Sequence, residues 1–242
     1  MSDEINRIKN INNEIDEATD NISESAGNSF EKAKETIGEA EEAAINKEKK
    51  IVDDVLEIIE STLLTVFVIV MIFTYLLHPV NVVGTSMEDT LNENDRIFMT
   101  TVYTGPHYKD IIVINNDKAY LLDAEGKVME KDITDSQFKE CIIKRVIAEP
   151  GQTIELNAET HEVIVDGKVI NEPYIKDPIQ NEGAFTYPFT VPDGYYFVIG
   201  DNRLVSADSR HSDIGLIKKD QIYGRAIIRY SPFNEFKFLF NK

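Results

Sequence analysis

The stretch STLLTVFVIVMIFTYLL, residues 61–77, divides the chain into parts of different character. Its seventeen residues carry no charge, and as an α-helix they span about 26 Å at about 1.5 Å per residue. A hydrocarbon core is about 30 Å thick. One preceding turn, residues 56–59, closes the gap if Glu60 lies at the interface, where a charge costs far less than at the centre. The run lacks the polar face that a core helix of a soluble domain shows. It begins about 60 residues into the chain and no small-residue cleavage pattern follows it, unlike a secretory leader. We therefore expect a transmembrane anchor over residues 58–78, with Tyr75 and His78 at the far interface.

Lysine placement orients the anchor. Lys47, Lys49 and Lys50 lie just before the run, and the next Lys or Arg after it is Arg96. The positive-inside asymmetry puts the N-terminus in the cytoplasm and the rest of the chain outside. Asp53, Asp54 and Glu57 do not reverse this, because acidic residues weigh little in the rule. The expected location is the plasma membrane, single-pass, with an extracytoplasmic C-terminal domain facing the lipid bilayer.

Residues 1–50 carry 13 acidic and 7 basic groups. Ile8, Ile11, Ile15, Ala18 and Ile22 follow a 3-4-3-4 spacing, a narrow apolar stripe on a helix. Gly27-Asn28-Ser29 is expected to break it, and Ala33, Ile37, Ala40 and Ala44 resume it with smaller residues. Two readings fit this weakly helical acidic tail. It is a cytoplasmic helix that pairs with itself or a partner, or it is a solvated, partly disordered segment.

Beyond the anchor, residues 79–242 read as short β-type runs separated by turn residues. They include DRIFMTTVY (95–103), DIIVI (110–114), CIIKRVIA (141–148), EVIVDGKVI (162–170), GYYFVIG (194–200) and GRAIIRYS (224–231). Asp166-Gly167 marks a hairpin turn. Pro150-Gly151 and Pro192-Asp193-Gly194 are further turns. The expected fold is a mainly β, antiparallel extracytoplasmic domain following one transmembrane helix and an N-terminal tail.

The net charge of −18 leaves no stretch with the basic surplus that phosphate backbones demand, which argues against nucleic acid as a partner. A single cysteine, Cys141, excludes an intrachain disulfide. The four histidines are scattered and none stands in a zinc-ligand spacing, so no metal or cofactor is expected.

Two residues are candidates for chemistry. Ser86 sits in VVGTSMEDTL shortly after the anchor, and Lys144 sits in IIKRVIAEPGQTI. A serine hydroxyl needs a neighbouring base to become a good nucleophile. A lysine can be that base only when neutral, and burial beside apolar groups favours the neutral form. Lys144 shares one strand face with Ile142 and Val146. On residue chemistry alone, a strand lysine and a loop serine also explain both positions.

VVGTSMEDTL, DRIFM, IIKRVIAEPGQTI and GDNRLVSADSR, in that order after a membrane span, resemble the ordered boxes of type I signal peptidases. Those are membrane-anchored serine-lysine endopeptidases that remove signal peptides from exported preproteins. The resemblance covers roughly residues 79–236 and continues in VIVDGKVINEPY (163–174), FTVPDGYYFVIGDNR (189–203) and IYGRAIIRYSPF (222–233). It implies that Ser86 is the nucleophile, Lys144 the general base, Ser206 the hydroxyl that orients the lysine amine, and Asp208 and Arg210 a supporting pair. Asp201, Asn202 and Arg203 are expected to build the loop that carries them. It further implies an extended peptide substrate added as a strand, with small residues before the cut. Val82, Val83, Gly84, Met87, Ile142 and Ile143 are the expected substrate-binding positions.

The chain departs from the family pattern at four places. Asp89 stands in SMEDT where the family usually has proline, which would stiffen the turn after the nucleophile. Lys109 stands where glycine is frequent, and residues 115–140 read as a long acidic surface insertion. Gly84 lacks the hydroxyl that some relatives offer to the oxyanion, leaving the Ser86 N–H as one donor and the second open. The alternatives to a general signal peptidase are a dedicated-substrate peptidase and an inactive membrane-tethered β scaffold whose tail binds a cytoplasmic partner.

Overall fold

The computed structural model describes residues 2–240 and divides into two compact units, residues 1–68 and 69–242. One helix, α1 (Ser2–Tyr75), occupies the N-terminal part. It is the one helix among the described residues long and apolar enough to cross a membrane.

Two details of α1 differ from expectation. The helix runs through Gly27-Asn28-Ser29 without a break. One interior glycine costs about 1 kcal/mol relative to alanine, and long helical flanks outvote it because propagation is cooperative. Ser29 Oγ donates to the Ser25 carbonyl at 2.7 Å and so does not compete for the helix. The helix also stops at Tyr75 rather than at residue 78. Pro79 disfavours the helical region for His78 and brings no N–H of its own, so the chain turns extended there.

Fourteen strands follow among the described residues. In chain order they are β1 (Leu77–Asn81), β2 (Arg96–Thr100), β3 (Ile111–Asn115), β4 (Ala119–Leu122), β5 (Val128–Lys131), β6 (Cys141–Ala148) and β7 (Thr153–Asn157). Then come β8 (Glu162–Val165), β9 (Lys168–Val169), β10 (Phe189–Thr190), β11 (Tyr195–Ile199), β12 (Ile217–Lys218), β13 (Ile222–Ser231) and β14 (Lys237–Phe238). The main sheet has the order β1-β2-β13-β3-β6-β11-β12, with β14 on β13. A second sheet has the order β10-β7-β8-β9. Neighbouring strands run antiparallel in both, so the expected mainly β, antiparallel domain is what the chain forms.

Side-chain alternation builds the core. Ile154, Leu156, Val163 and Val165 of the second sheet are buried against Ile147, Phe197 and Ile199 of the main sheet. Asp166 and Gly167 take φ of 51° and 73°, the left-handed pair that a tight two-residue hairpin between β8 and β9 requires.

Residues 115–140 are more than a surface insertion. β4 and β5 form a hairpin that pushes Ala119 and Tyr120 into the interior. Asp213 ties down the following loop. Its carboxylate accepts from Lys131 Nζ at 2.7 Å, Thr134 Oγ1 at 2.6 Å and the Asp135 N–H at 3.2 Å. These donors hold Asp213 well below the usual carboxylate range, the Lys131 contact most of all.

Candidate active site

Ser86 lies on the loop after β1. Gly84 opens that loop with a φ of 82°, a conformation that favours glycine. Met87, 1% exposed, and Leu91 plug the loop into a core of Val82, Ile97, Ile111 and Ala226. Their N–H and C=O groups close a turn, with Thr90 and Leu91 both donating to the Met87 carbonyl. The opposite side is clamped by Asn202, whose backbone N–H donates to the Ser86 carbonyl at 3.1 Å and whose side chain donates to the Thr85 carbonyl at 3.2 Å. The hydroxyl of Ser86 is thus held on a rigid turn while Ser86 itself remains half-buried.

Lys144 comes from the middle of β6, where it lies opposite Ile112 of β3. It is 3% exposed. Its Nζ donates to Ser86 Oγ at 2.7 Å. Burial pushes the amine down to about 8 from its ordinary value near 10.5, Arg210 adds to that, and Asp208, Asp201 and Glu140 pull the other way. Desolvation wins because the ammonium loses water that no single adjacent carboxylate replaces.

The segment from Gly200 to Arg210 wraps the pair from below. Asp208 is fully buried and accepts from Arg210 Nε at 2.8 Å, Arg210 Nη2 at 2.7 Å and the Gly200 N–H at 3.1 Å. Burial acts to raise its carboxyl, but the Arg210 guanidinium and the Gly200 N–H bring it below the usual carboxylate range. Arg210 also donates to the Arg203 carbonyl at 3.1 Å. Gly200 is a close-approach position: a Cβ there would overlap Ser206 Oγ and lie 2.5 Å from the Ser86 carbonyl oxygen.

Ser206 differs from expectation. Its Oγ is buried with no hydrogen-bond partner among the described residues, so it makes no direct bond to the lysine amine. The backbone explains its position, since the Ser206 N–H caps the Asn202 carbonyl at 3.0 Å.

The expected substrate-binding positions separate into two groups. Val82 and Met87 are sealed inside the core and hold the nucleophile loop rather than offering a surface. Their inward orientation follows from the need to bury an apolar side chain under a short loop. Val83 is 85% exposed, and Gly84, Ile142 and Ile143 are half-buried, the two isoleucines packing against different core clusters.

Two buried ion pairs that brace the site were not read from the sequence. Arg145, next to Lys144, binds Asp201 in a fork, Nε to Oδ1 at 2.7 Å and Nη2 to Oδ2 at 2.5 Å. The Tyr174 ring stacks over the same guanidinium at 4.0 Å. Arg203 forks onto Glu172 at 2.9 and 2.5 Å and donates from Nε to the Gly200 carbonyl at 3.1 Å. Among the described residues no three His, Cys, Asp or Glu side chains gather as metal ligands would.

Residues 55–231 match the family model described as signal peptidase, peptidase S26. The chain belongs to this family. Signal peptidase I of Bacillus licheniformis is 32% identical over 192 residues, 75% of this chain and 91% of that protein. Signal peptidase I T of Bacillus subtilis (strain 168) is 33% identical over 189 residues, 74% of this chain and 86% of that protein. A crystal structure of a signal peptidase I from Enterococcus faecalis V583 aligns with a TM-score of 0.36 and 24% identity, spanning 51% of this chain and 98% of that one. Within the S26 family match fall both the apolar end of α1 and every residue of the site. Residues 1–54 lie before it.

Proposed function

We propose that the chain is a membrane-anchored serine endopeptidase that removes N-terminal signal peptides from exported preproteins, with Ser86 as nucleophile and Lys144 as general base. Family membership supports the peptidase class and the substrate class. The observation that carries the residue roles is the 2.7 Å contact between a buried Lys144 amine and Ser86 Oγ.

The chemistry follows from that contact. At its ordinary pKa, about one lysine in 2,500 is neutral at pH 7, whereas at about 8 roughly one in ten is. With the amine neutral, the hydroxyl donates to the nitrogen lone pair. Ser86 Oγ bonds to the scissile carbonyl carbon as its proton passes to Lys144, and the carbonyl electron pair moves onto oxygen. The ammonium returns that proton to the leaving nitrogen as the C–N bond breaks, leaving an ester on Ser86. Lys144 then takes a proton from water, the hydroxide displaces the ester, and Ser86 regains its hydrogen. The Ser86 N–H is the donor we assign to the oxyanion. Ser206, whose Oγ is buried near Gly200 without a hydrogen-bond partner among the described residues, is the hydroxyl we assign to orient the amine once the side chain turns toward it.

The substrate enters as a strand. Residues Cys141 to Lys144 of β6 pair with β3, while pairing with β11 begins only at Arg145. The first half of β6 therefore offers an open edge next to Lys144, which suits β-augmentation by an extended peptide. Ile142 and Ile143 of that edge, with Val83 and Gly84 before the nucleophile, are the positions we assign to the substrate's small side chains before the cut.

In this reading α1 crosses the plasma membrane with its N-terminus in the cytoplasm. The catalytic domain outside then meets signal peptides whose apolar segment is still in the bilayer. The test is cleavage of a preprotein with an Ala-X-Ala site by the full chain in detergent or lipid. Cleavage after the second alanine, lost in Ser86→Ala and in Lys144→Ala, is the expected result. Cleavage that survives Lys144→Ala would remove the lysine base from the account.

A further inference from the structure

We infer that Tyr187 is a further positioning residue of the peptidase site. Its hydroxyl takes the open Nη1 of Arg210 and so fixes the loop that carries Ser206 against Lys144. The inference rests on the roles of Ser86 and Lys144 proposed above.

Six buried side-chain polar atoms lack a hydrogen-bond partner among the described residues. Three of them, Ser206 Oγ, Arg210 Nη1 and Tyr187 Oη, belong to one neighbourhood. Arg210 Nη2 lies 3.5 Å from the Ser206 carbonyl oxygen. The Ala184 N–H donates to the Arg210 carbonyl at 2.9 Å, which seats the segment before Tyr187 on Arg210. The approach is close enough that a Cβ on Gly183 would lie 2.5 Å from Arg210 Cβ. Buried polar groups are hydrogen-bonded in the great majority of cases. Three orphans in one place therefore point to bonds among themselves, direct or through one ordered water.

The Tyr187 ring gives an independent argument. It packs with Phe185, Phe189 and Phe197 at centroid distances of 6.5, 5.4 and 6.3 Å. The other three rings carry no hydroxyl, and a fourth phenylalanine would serve the packing as well. A tyrosine in such a cluster loses the hydration of its hydroxyl unless that hydroxyl has a use. Burial first, then the Asp208 charge, raises the Tyr187 phenol, and the Arg210 charge acts against them. The phenol therefore stays protonated and faces the Asp208–Arg210 pair, able both to accept and to donate.

Arg210 has the donor to spare. Its Nε and Nη2 fork onto Asp208, and Nη2 also reaches the Arg203 carbonyl. With Nη1 held by Tyr187, the guanidinium is fixed on both sides, and the Asp208 carboxylate with it. The loop from Ser206 to Arg210 then stands as one piece, with the Ser206 hydroxyl turned to the Lys144 amine.

Tyr187→Phe in the full chain keeps the ring and removes one oxygen. The expected result is a kcat for preprotein cleavage at least fivefold lower, with KM within twofold of wild type. A role in packing alone would leave kcat untouched, because the ring is retained. A double-mutant cycle with Ser206→Ala reads the route. If Tyr187 acts through Ser206, adding Tyr187→Phe to Ser206→Ala lowers kcat by less than a further twofold. Wild-type kcat in Tyr187→Phe overturns the proposal, and so does a loss that multiplies in full in the double variant. A crystal structure of the full chain gives a measurement that needs no turnover. It should show Tyr187 Oη bonded to Arg210 Nη1, directly or through one water. A hydroxyl bonded elsewhere, or open to bulk solvent, overturns the proposal. That bond in a wild type that cleaves no preprotein would support the network and count against the peptidase reading alone.

Discussion

Lys144 Nζ lies 2.7 Å from Ser86 Oγ although the two residues are 58 positions apart and come from different elements. One is fixed by the pairing of β6 with β3, the other by a loop plugged into the core through Met87. The contact survives only if both supports hold, and each support makes a prediction.

Burial of Lys144 should cost stability at neutral pH. Its folded pKa, about 8, lies below the unfolded value near 10.5, so between those values the unfolded chain binds more protons. Stability therefore rises with pH across that window. Lys144→Met removes the penalty, and the full chain in detergent should be up to about 3 kcal/mol more stable at pH 7. The gap should close toward pH 10.5. A variant no more stable at pH 7 than at pH 10, each relative to wild type, would contradict the buried amine.

Gly200→Ala should disable the site from below. The added methyl collides with Ser206 and the Ser86 carbonyl. Overpacking of this kind costs about 1–3 kcal/mol, and a shift of about 1 Å at the nucleophile costs about 100-fold in rate. Denaturant unfolding and kcat measured on the same preparation check both halves. Wild-type kcat in the alanine variant would show that the close approach is not needed.

Asp201→Asn leaves the buried Arg145 guanidinium without its forked carboxylate. Removing one member of a buried ion pair costs about 3–5 kcal/mol. Asn202, which clamps the nucleophile loop, is the next residue, so kcat should fall along with the melting temperature. An unchanged melting temperature would mean that the Tyr174 stack and the Lys109 carbonyl suffice to hold Arg145.

Asp213→Ala should free the loop after β5. The carboxylate gathers Lys131, Thr134 and the Asp135 N–H as their common acceptor. Trypsin should then cut at the exposed Lys139 at least tenfold faster than in wild type. Equal rates would show that the Asn116 bonds to the Phe138 and Asp213 carbonyls are enough.

What the sequence disclosed follows the range of each signal. Short β-type runs bounded by turn residues announced β3, β6, β8, β11 and β13, because such runs are written locally. The Asp166-Gly167 turn was legible because its dihedrals demand those residues. β1 was hidden because it starts on the last residue of the apolar run, and only the turn at Leu76 separates it from the helix. The Arg145–Asp201 pair was invisible because its partners are 56 residues apart and surface arginines look the same in a sequence. The ordered motifs pointed to Ser86 and Lys144 together, but nothing local told that Val82 and Met87 turn inward.

The pH dependence of kcat/KM for preprotein cleavage by the full chain tests the central claim most directly. If a neutral Lys144 is the base, the rate rises about tenfold per pH unit below an inflection near 8 and levels above it. An inflection near 6.5, where histidine titrates, or a profile retained at wild-type rates by Lys144→Ala, would contradict it.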